Sequence, residues 1–334
     1  MPIIDFHIHY TPESMVRAQL GDSAGPVVRY KDGIPAYTHH EGLFRLDRHI
    51  EVMDAAGVEY ATLSSGAAMD ADLETAVIVN DALAQDISGF GGRLIGLAHA
   101  PAAEAAGVTE LHRVADRYGF PGAALATTVA GRYLDHADFD PFYAALSERG
   151  MFLFIHPALN APDYAPTVYD AYDLYRCIGR EHELIAATMR LIWGGAFDRH
   201  PELKVVMSHL GGGLSAILDR IRGYEDRSHM GVSDNPTHAR LPKHPIEHYF
   251  EENLLFDTGG VFGSVNAVKS ALLEIPAESI VFGSDYPQEI RSTRDYAQFM
   301  QRLRESDIDP GVVEKILSTN GSRLGVLGGL AASQ

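Results

Sequence analysis

The chain has 334 residues, of which 46% are hydrophobic and 22% charged, and its formal net charge is −18. This length and apolar content are enough to bury a large core, so we expect a soluble globular protein. The negative charge argues against binding to nucleic acid or to anionic membrane surfaces. No apolar run approaches the ~18 residues of a membrane helix, and no basic region followed by an apolar run opens the chain. We therefore expect a cytoplasmic protein.

The single cysteine, Cys177, has no partner for an internal disulfide. Its isolation fits a reducing compartment, and we expect it to be a buried, inert thiol.

Short apolar runs alternate with segments of helical periodicity along the chain. The predicted strands are Ile3–Asp5, Tyr60–Leu63, Leu94–Ala98, Gly122–Ala126, Met151–His156, Lys204–His209, Leu254–Asp257 and Ser279–Ser284. The predicted helices are Leu46–Ala56, Leu73–Gly89, Glu104–Tyr118, Phe139–Arg149, Glu181–Arg199, Leu214–Gly223, Val265–Glu274 and Arg294–Glu305. Eight strand–helix units predict an α/β protein with the (β/α)8 architecture of a TIM barrel. No change of composition suggests a linker, so residues 1–334 are expected to form a single domain.

Residues 11–44 connect the first strand to its helix and are rich in Gly, Pro and Tyr, with few helix-building residues. A loop of this length at the mouth of a barrel is typical of a lid, and we expect it to fold over the mouth.

The first strand carries a pair of histidines, His7 and His9. Because alternate side chains of a strand share a face, the two imidazoles point the same way, with Phe6 and Ile8 on the other face. Neutral imidazole is the commonest metal ligand in proteins. The pair is therefore a candidate for binding one ion.

Three further polar residues follow apolar strands at the end where a barrel places its chemistry. His156 follows Met151–Ile155, His209 follows the sixth strand, and Asp285 follows the eighth. Structural histidines would be expected to scatter along the chain. The shared position of these residues predicts a mononuclear metal site.

These segments resemble a known family. Its features here are Asp5-Phe6-His7-Ile8-His9, Phe154-Ile155-His156-Pro157, Gly195–Lys204, His209-Leu210-Gly211-Gly212-Gly213 and Phe282-Gly283-Ser284-Asp285-Tyr286-Pro287. Together they resemble the amidohydrolase superfamily and, within it, the branch of aminocarboxymuconate-semialdehyde decarboxylase, often called amidohydrolase-2. The resemblance implies a TIM barrel with one divalent metal ion, usually zinc and sometimes manganese, that acts on carboxylated aromatic or dienoic acids.

The resemblance also implies roles for individual residues. His7, His9, His156 and Asp285 would bind the metal, and His209 would be the acid/base residue beside it. Three imidazoles and one carboxylate leave room for substrate, and imidazole titrates near physiological pH. Asp285 can both bind the ion and orient His209. Two-metal members of the superfamily carry a lysine at the end of the fourth strand, but Gly122–Thr128 contains none, which predicts one ion per chain.

The predicted reaction is non-oxidative decarboxylation of a small aromatic or conjugated carboxylic acid, with no organic cofactor. A metal ion and local arginines let an acidic protein accept this anionic substrate. The alternative is hydrolysis of a lactone or amide, or hydration of an unsaturated acid, and the run His9-Tyr10-Thr11 is reminiscent of a hydratase. A non-catalytic metal-binding barrel is disfavoured, because His209 is present beside the four predicted ligands.

Substrate-binding residues are less clearly marked. Tyr37 stands about where the resembling decarboxylase has an arginine that binds a substrate carboxylate. Arg45 and Arg48 each either replace that arginine or are solvated or salt-bridged helix residues. Arg180 and His182 either contact substrate or line the start of a helix, and the second role is favoured. Arg220 resembles an arginine that reaches the active site of a neighbouring subunit, as expected in a homodimer or higher oligomer, although a surface ion pair is the simpler role.

Overall fold

The structure is a computed structural model, and it describes residues 1–225 and 241–326. Eight of its strands run through the chain in the predicted order: β1 (Ile4–His9), β2 (Tyr60–Ser64), β3 (Leu94–Gly96), β4 (Gly122–Ala126), β5 (Phe152–His156), β6 (Val205–Met207), β7 (Leu254–Asp257) and β8 (Ile280–Val281). Each overlaps one predicted strand. Neighbouring strands pair in parallel within two sheets, β1 to β3 and β4 to β8.

Backbone contacts join the two sheets into a closed barrel. A parallel bridge between Ala98 and Ala123 connects the end of β3 to β4. A second bridge, between Ile8 and Tyr286, connects β1 to the chain beyond β8. The predicted (β/α)8 barrel is confirmed.

Helices follow the strands and surround them. They are α1 (Leu46–Ala56), α2 (Leu73–Ile87), α3 (Ala105–Tyr118), α4 (Asp140–Glu148), α5 (Arg180–Trp193), α6 (Leu218–Gly223), α7 (Val265–Ala271) and α8 (Thr293–Arg304). Further helices span Ala196–Arg199 and Ile246–Glu252, before β6 and β7, and Pro310–Glu314, after α8. No helix among the described residues has the length and hydropathy needed to cross a membrane.

The core has two layers, one inside the barrel and one between the strands and the helices. Successive side chains of a regular strand point alternately into these two layers. In β5, Phe152 and Phe154 belong to a cluster with side chains from most of the other strands, so this cluster fills the barrel. Leu153 and Ile155 belong to the larger cluster between the strands and the helices. The next inward-facing residue along the strand is His156.

The first strand departs from regular alternation. Its pairing with β2 shifts between Asp5 and Ile8, and Phe6 packs in the barrel interior with Phe152 while Ile8 packs in the outer layer. The prediction that Phe6 and Ile8 share one face is therefore wrong. The irregularity changes the phase of the strand, as a bulge does, so that Phe6 and the two histidines all turn inward.

The insertion after β1 has its own secondary structure. A helix spans Glu13–Leu20, and an antiparallel hairpin joins Val27–Lys31 to Ile34–His39. The helix was not expected from the local composition; it buries Val16 and Leu20, four residues apart on one face. That the insertion moves as a lid remains a prediction.

Candidate metal centre

The backbone brings the five predicted site residues together at the carboxyl end of the barrel. His7 and His9 lie at the end of β1, and His156 is the last residue of β5. His209 and Asp285 follow β6 and β8 in the left-handed conformation, with φ of 55° and 56°. Non-glycine residues rarely adopt this conformation, and such strain is concentrated at functional sites. The left-handed turn at His209 agrees with the end of β6 at Met207, before the predicted histidine, whereas β8 ends at Val281, four residues before Asp285.

The donor atoms of these residues converge. His9 Nε2 lies 3.2 Å from His7 Nε2 and 2.8 Å from Asp285 Oδ1, and His7 Nε2 lies 3.5 Å from the same oxygen. His209 Nε2 is 3.9 Å from Asp285 Oδ2. Donor atoms of His7, His156, His209 and Asp285 all lie within 4.8 Å of one another, and all four residues are buried.

Outer partners set the orientation of three imidazoles. Nδ1 of His7 donates to Asp257 Oδ2 at 3.0 Å, and Nδ1 of His156 donates to the carbonyl of Pro157 at 2.9 Å. Nδ1 of His209 donates to Glu181 Oε1 at 2.9 Å. With the proton on Nδ1, the rings of His7 and His156 turn the lone pair of Nε2 toward the cluster, which is the arrangement found around metal-binding histidines. The ring of His209 also turns its Nε2 toward the cluster.

A divalent cation fits this set of donors. Imidazole nitrogen and carboxylate oxygen are donors that such ions bind, and the buried atoms His9 Nδ1 and His209 Nε2 have no hydrogen-bond partner among the described residues. Two nitrogen ligands about 2.0–2.1 Å from a tetrahedral ion are about 3.4 Å apart. The separation of 3.2 Å between His7 and His9 is close to that value. The centre therefore has the chemistry of a single divalent metal site.

Protonation of the site follows from burial and from neighbouring charges. Burial lowers the pKa of His9 and His156, so both favour the neutral form that binds metals. Burial also opposes charge on His209, but Glu181 and then Asp285 raise its pKa to about 10. Burial alone would raise the pKa of Asp285, but the neighbouring imidazoles of His7 and His9 hold this pKa below its usual range.

A cavity of about 400 Å³ opens above the donors. Besides the cluster, its wall includes Tyr37 and Thr38 of the hairpin, Arg176, Arg180 and Glu181 before and in α5, and Gly260, Phe262, Gln288 and Glu289 after β7 and β8. The volume suits a small molecule, and the wall mixes aromatic with charged groups.

Gly260 supports His209 in a way that the sequence did not indicate. Its φ is +70°, and a Cβ placed there would lie 2.0 Å from Cγ of His209. We expect Gly260→Ala to displace the imidazole and to lower turnover by about 100-fold, since small misplacements of catalytic groups have effects of that size. Assays of purified protein at matched metal content measure this.

Gly119→Ala is the matched control. Gly119 has φ of +68°, but no atom lies within 4 Å of the position that a Cβ would take there. Both variants carry the backbone cost of a left-handed alanine. Equal turnover in the two variants would show that the contact with His209 is unimportant.

Of the four predicted substrate-binding residues, Tyr37 lines the cavity and the other three do not. Tyr37 lines the cavity, and its buried hydroxyl has no hydrogen-bond partner among the residues described. Arg45 instead pairs with Asp47 on the surface, with 2.6 Å between Nη2 and Oδ2. Neither Arg45 nor Arg48 is part of the cavity wall, so neither replaces the arginine absent at Tyr37 in this structure.

The other two candidates also lie outside the cavity wall. His182 approaches the Tyr169 hydroxyl through Nδ1, at 3.3 Å, and Arg220 donates to the Tyr224 hydroxyl at 3.1 Å. That Arg220 reaches the active site of a neighbouring subunit remains a prediction. The prediction of a buried Cys177 is wrong, because this residue is exposed at the cavity wall.

The sequence did not indicate the roles of three supporting residues. Asp257 was predicted only as the end of a strand and Glu181 only as the start of a helix, and no role was predicted for Gly260. The position of Asp257 at the carboxyl end of β7 was the one available signal.

The fold and the donor cluster together define a class: a metal-binding (β/α)8 protein with its site at the carboxyl ends of the strands. Comparison with known proteins makes the assignment more specific. The amidohydrolase family model matches residues 4–324, so the chain belongs to this family.

Its relatives include decarboxylases of aromatic and conjugated acids. The gamma-resorcylate decarboxylase of a Polaromonas species is 30% identical over 259 residues, which cover 73% of this chain and 77% of that protein. The 2-amino-3-carboxymuconate-6-semialdehyde decarboxylase of Dictyostelium discoideum is 29% identical, over 64% of this chain and 57% of that protein. The family resemblance predicted from the sequence is confirmed, and these relatives bear out the predicted carboxy-lyase class.

A solved structure aligns over nearly the whole chain. It is a dihydroxybenzoic acid decarboxylase from Polaromonas with bound manganese and the inhibitor 2-nitroresorcinol, with a TM-score of 0.79 and 26% identity. The alignment covers 98% of this chain and 97% of that one. The prediction of a divalent metal is supported, whereas the preference for zinc is not.

Proposed function

We propose that this protein is a metal-dependent, non-oxidative decarboxylase of a small aromatic acid. The observation that carries the proposal is the buried cluster of His7, His156, His209 and Asp285 at the floor of a cavity. Within it, the Nδ1 of His209 is held by Glu181. The activities of the relatives agree with it.

His7, His9, His156 and Asp285 are the proposed ligands. A divalent ion held there would supply a Lewis acid that binds the substrate and stabilises negative charge developing on it. We favour manganese over the zinc expected from the sequence, because the aligned decarboxylase holds manganese and a carboxylate ligand suits that ion. Metal analysis of protein purified without added metal decides between them.

The reaction exchanges one proton for one molecule of CO₂. A proton adds to the ring carbon that bears the carboxylate, and the electron pair of the breaking C–C bond then returns to the ring as CO₂ leaves. No oxidant or reductant is needed. His209 is the proposed proton donor, because its Nε2 faces the cluster while Glu181 holds its Nδ1.

Asp285 has a second proposed role in this step. Its Oδ2 lies 3.9 Å from His209 Nε2, so its negative charge stabilises the protonated imidazole. After CO₂ leaves, His209 takes a new proton from water that enters through the open cavity. The buried aromatic and aliphatic parts of the wall, including Tyr37 and Leu159, exclude most other water from the ring.

The pH dependence of turnover tests the role of Glu181. His209 must be protonated to donate, and this form exists below its pKa. Since Glu181 raises that pKa, Glu181→Gln should lower it and move the high-pH limb of the profile to lower pH. Turnover at neutral pH should also fall by about 10- to 100-fold.

The pH profile of kcat, measured between about pH 5 and about pH 10 for the wild type and Glu181→Gln, tests this shift. Glu183→Gln is the matched control: Glu183 lies on the same helix but accepts a hydrogen bond from Tyr164, away from His209. An unchanged high-pH limb in Glu181→Gln would remove Glu181 from the mechanism.

The proposal as a whole is tested by CO₂ release from hydroxybenzoates, assayed before and after chelation of the metal. We expect stoichiometric CO₂, lost on chelation and restored by manganese. Loss of substrate without CO₂ would favour the hydrolase or hydratase alternative. The cytoplasmic location and the homodimer remain predictions, which cell fractionation and light scattering test.

A further inference from the structure

Arg180, at the start of α5, is a charged residue in the cavity wall with no carboxylate partner among the described residues. Its Nη2 donates to the carbonyl of Ala36 and to that of Leu159, the latter at 3.4 Å. Its Nε is buried and has no hydrogen-bond partner there. The guanidinium is thus held by neutral groups and keeps unused donors.

The neighbouring arginine shows the contrast. Arg176 lines the same cavity, but its Nε lies 2.8 and 2.9 Å from the two oxygens of Asp173. Leaving a half-buried cation without an anion is costly, so Arg180 is expected to have an anionic partner when the protein works.

The acidic groups of the cavity wall are engaged elsewhere. Glu181 accepts from His209, and Asp285 lies among the imidazoles. Glu289 accepts from the backbone amide of Phe262 at 3.0 Å. The anion for Arg180 must therefore come from a molecule in the cavity, and a carboxylate matches the planar fork of a guanidinium.

This anion is not the carboxylate that leaves. As the C–C bond breaks, negative charge moves from the carboxylate into the ring. A guanidinium bound only to the leaving carboxylate would stabilise the substrate more than the transition state, whereas the metal ion would also stabilise the charge that develops on the rest of the substrate. A cation on a second, unreactive carboxylate binds both states alike and fixes the orientation of the ring.

We propose that Arg180 binds a second carboxylate of the substrate, so that the preferred substrates are aromatic dicarboxylic acids that lose one carboxylate at the metal centre. This inference rests on the proposed decarboxylase function. It also gives α5 a role in specificity, in place of the structural role favoured for Arg180 from the sequence.

The first test compares paired acids. CO₂ release is measured with 2-hydroxybenzoate and with its derivatives that carry a second carboxylate meta or para to the first. We expect wild-type kcat/KM to be higher for a dicarboxylic acid. In Arg180→Gln, which removes the positive charge and keeps a polar side chain, kcat/KM should fall about 100-fold for that acid and little for 2-hydroxybenzoate.

Arg176→Gln is the matched control, because its guanidinium is already paired with Asp173. It should change both substrates by similar factors. Equal losses for both acids in Arg180→Gln, or no wild-type preference for a dicarboxylic acid, would overturn the assignment.

The second test needs neither a variant nor turnover. Calorimetry of the metal-free wild-type protein compares benzoate with isophthalate and terephthalate. At least one dicarboxylate should bind about 10-fold more tightly than benzoate, and equal affinities would contradict the proposal. Failure of the decarboxylase function would look different: no acid would release CO₂ from the metal-loaded enzyme, whatever the binding preference.

Discussion

Replacing His209 with asparagine is expected to reduce turnover by about 1,000-fold while the metal content stays near that of the wild type. General acid catalysis contributes effects of this order, and asparagine cannot deliver a proton. The four proposed ligands remain in place. The measurement is kcat with a parallel determination of bound metal.

His182→Asn is the matched control, since His182 lies outside the cavity wall near the same end of α5. It should keep wild-type activity. Retained activity in a metal-loaded His209→Asn protein would remove His209 from the mechanism. Loss of metal from the His209→Asn protein would instead indicate that His209 is a metal ligand. Its donor atom lies within 4.8 Å of those of His7, His156 and Asp285, so the experiment distinguishes the two roles.

Replacing His7 with alanine is expected to abolish both metal binding and activity. His7 Nε2 lies near the donor atoms of His9 and Asp285, and His7 is fully buried, so no other side chain can take its place. We expect metal content to fall by at least about 100-fold at limiting metal, because loss of outer contacts alone costs about 10- to 100-fold. Titration of metal into the apoprotein measures this.

Asp257→Asn is the graded comparison for His7→Ala. It keeps the imidazole but weakens the hydrogen bond to Nδ1 that orients it. Metal affinity should fall by about 10- to 100-fold without being lost. Wild-type affinity in His7→Ala would contradict the assignment of His7 as a ligand.

The barrel could be predicted from the sequence because its signals are local. A predicted strand of three to six residues followed by a helical period recurs eight times, and the polar residue at the end of a strand can be recognised without knowledge of a distant partner. For this reason His156, His209 and Asp285 stood out together. Strand ends were less accurate, since nothing in the sequence marks His209 and Asp285 as left-handed.

The supporting contacts could not be predicted because they join distant parts of the chain. Glu181 meets His209 across 28 residues, and Asp257 meets His7 across 250. The closeness of Gly260 to His209 and the missing partner of Arg180 are properties of packing. A single sequence holds no record of such distances. The irregularity in β1, which turns Phe6 inward, is equally invisible to a simple alternation rule.

The central claim is that a C–H bond replaces a C–COO⁻ bond. Its most direct test is turnover in deuterated water by the manganese-loaded enzyme, with CO₂ and product mass measured together. We expect one CO₂ released and one deuterium on the former carboxylate carbon for each acid consumed. Product that retains all of its carbon and gains the mass of one water would contradict decarboxylation and show that the same centre performs hydrolysis or hydration.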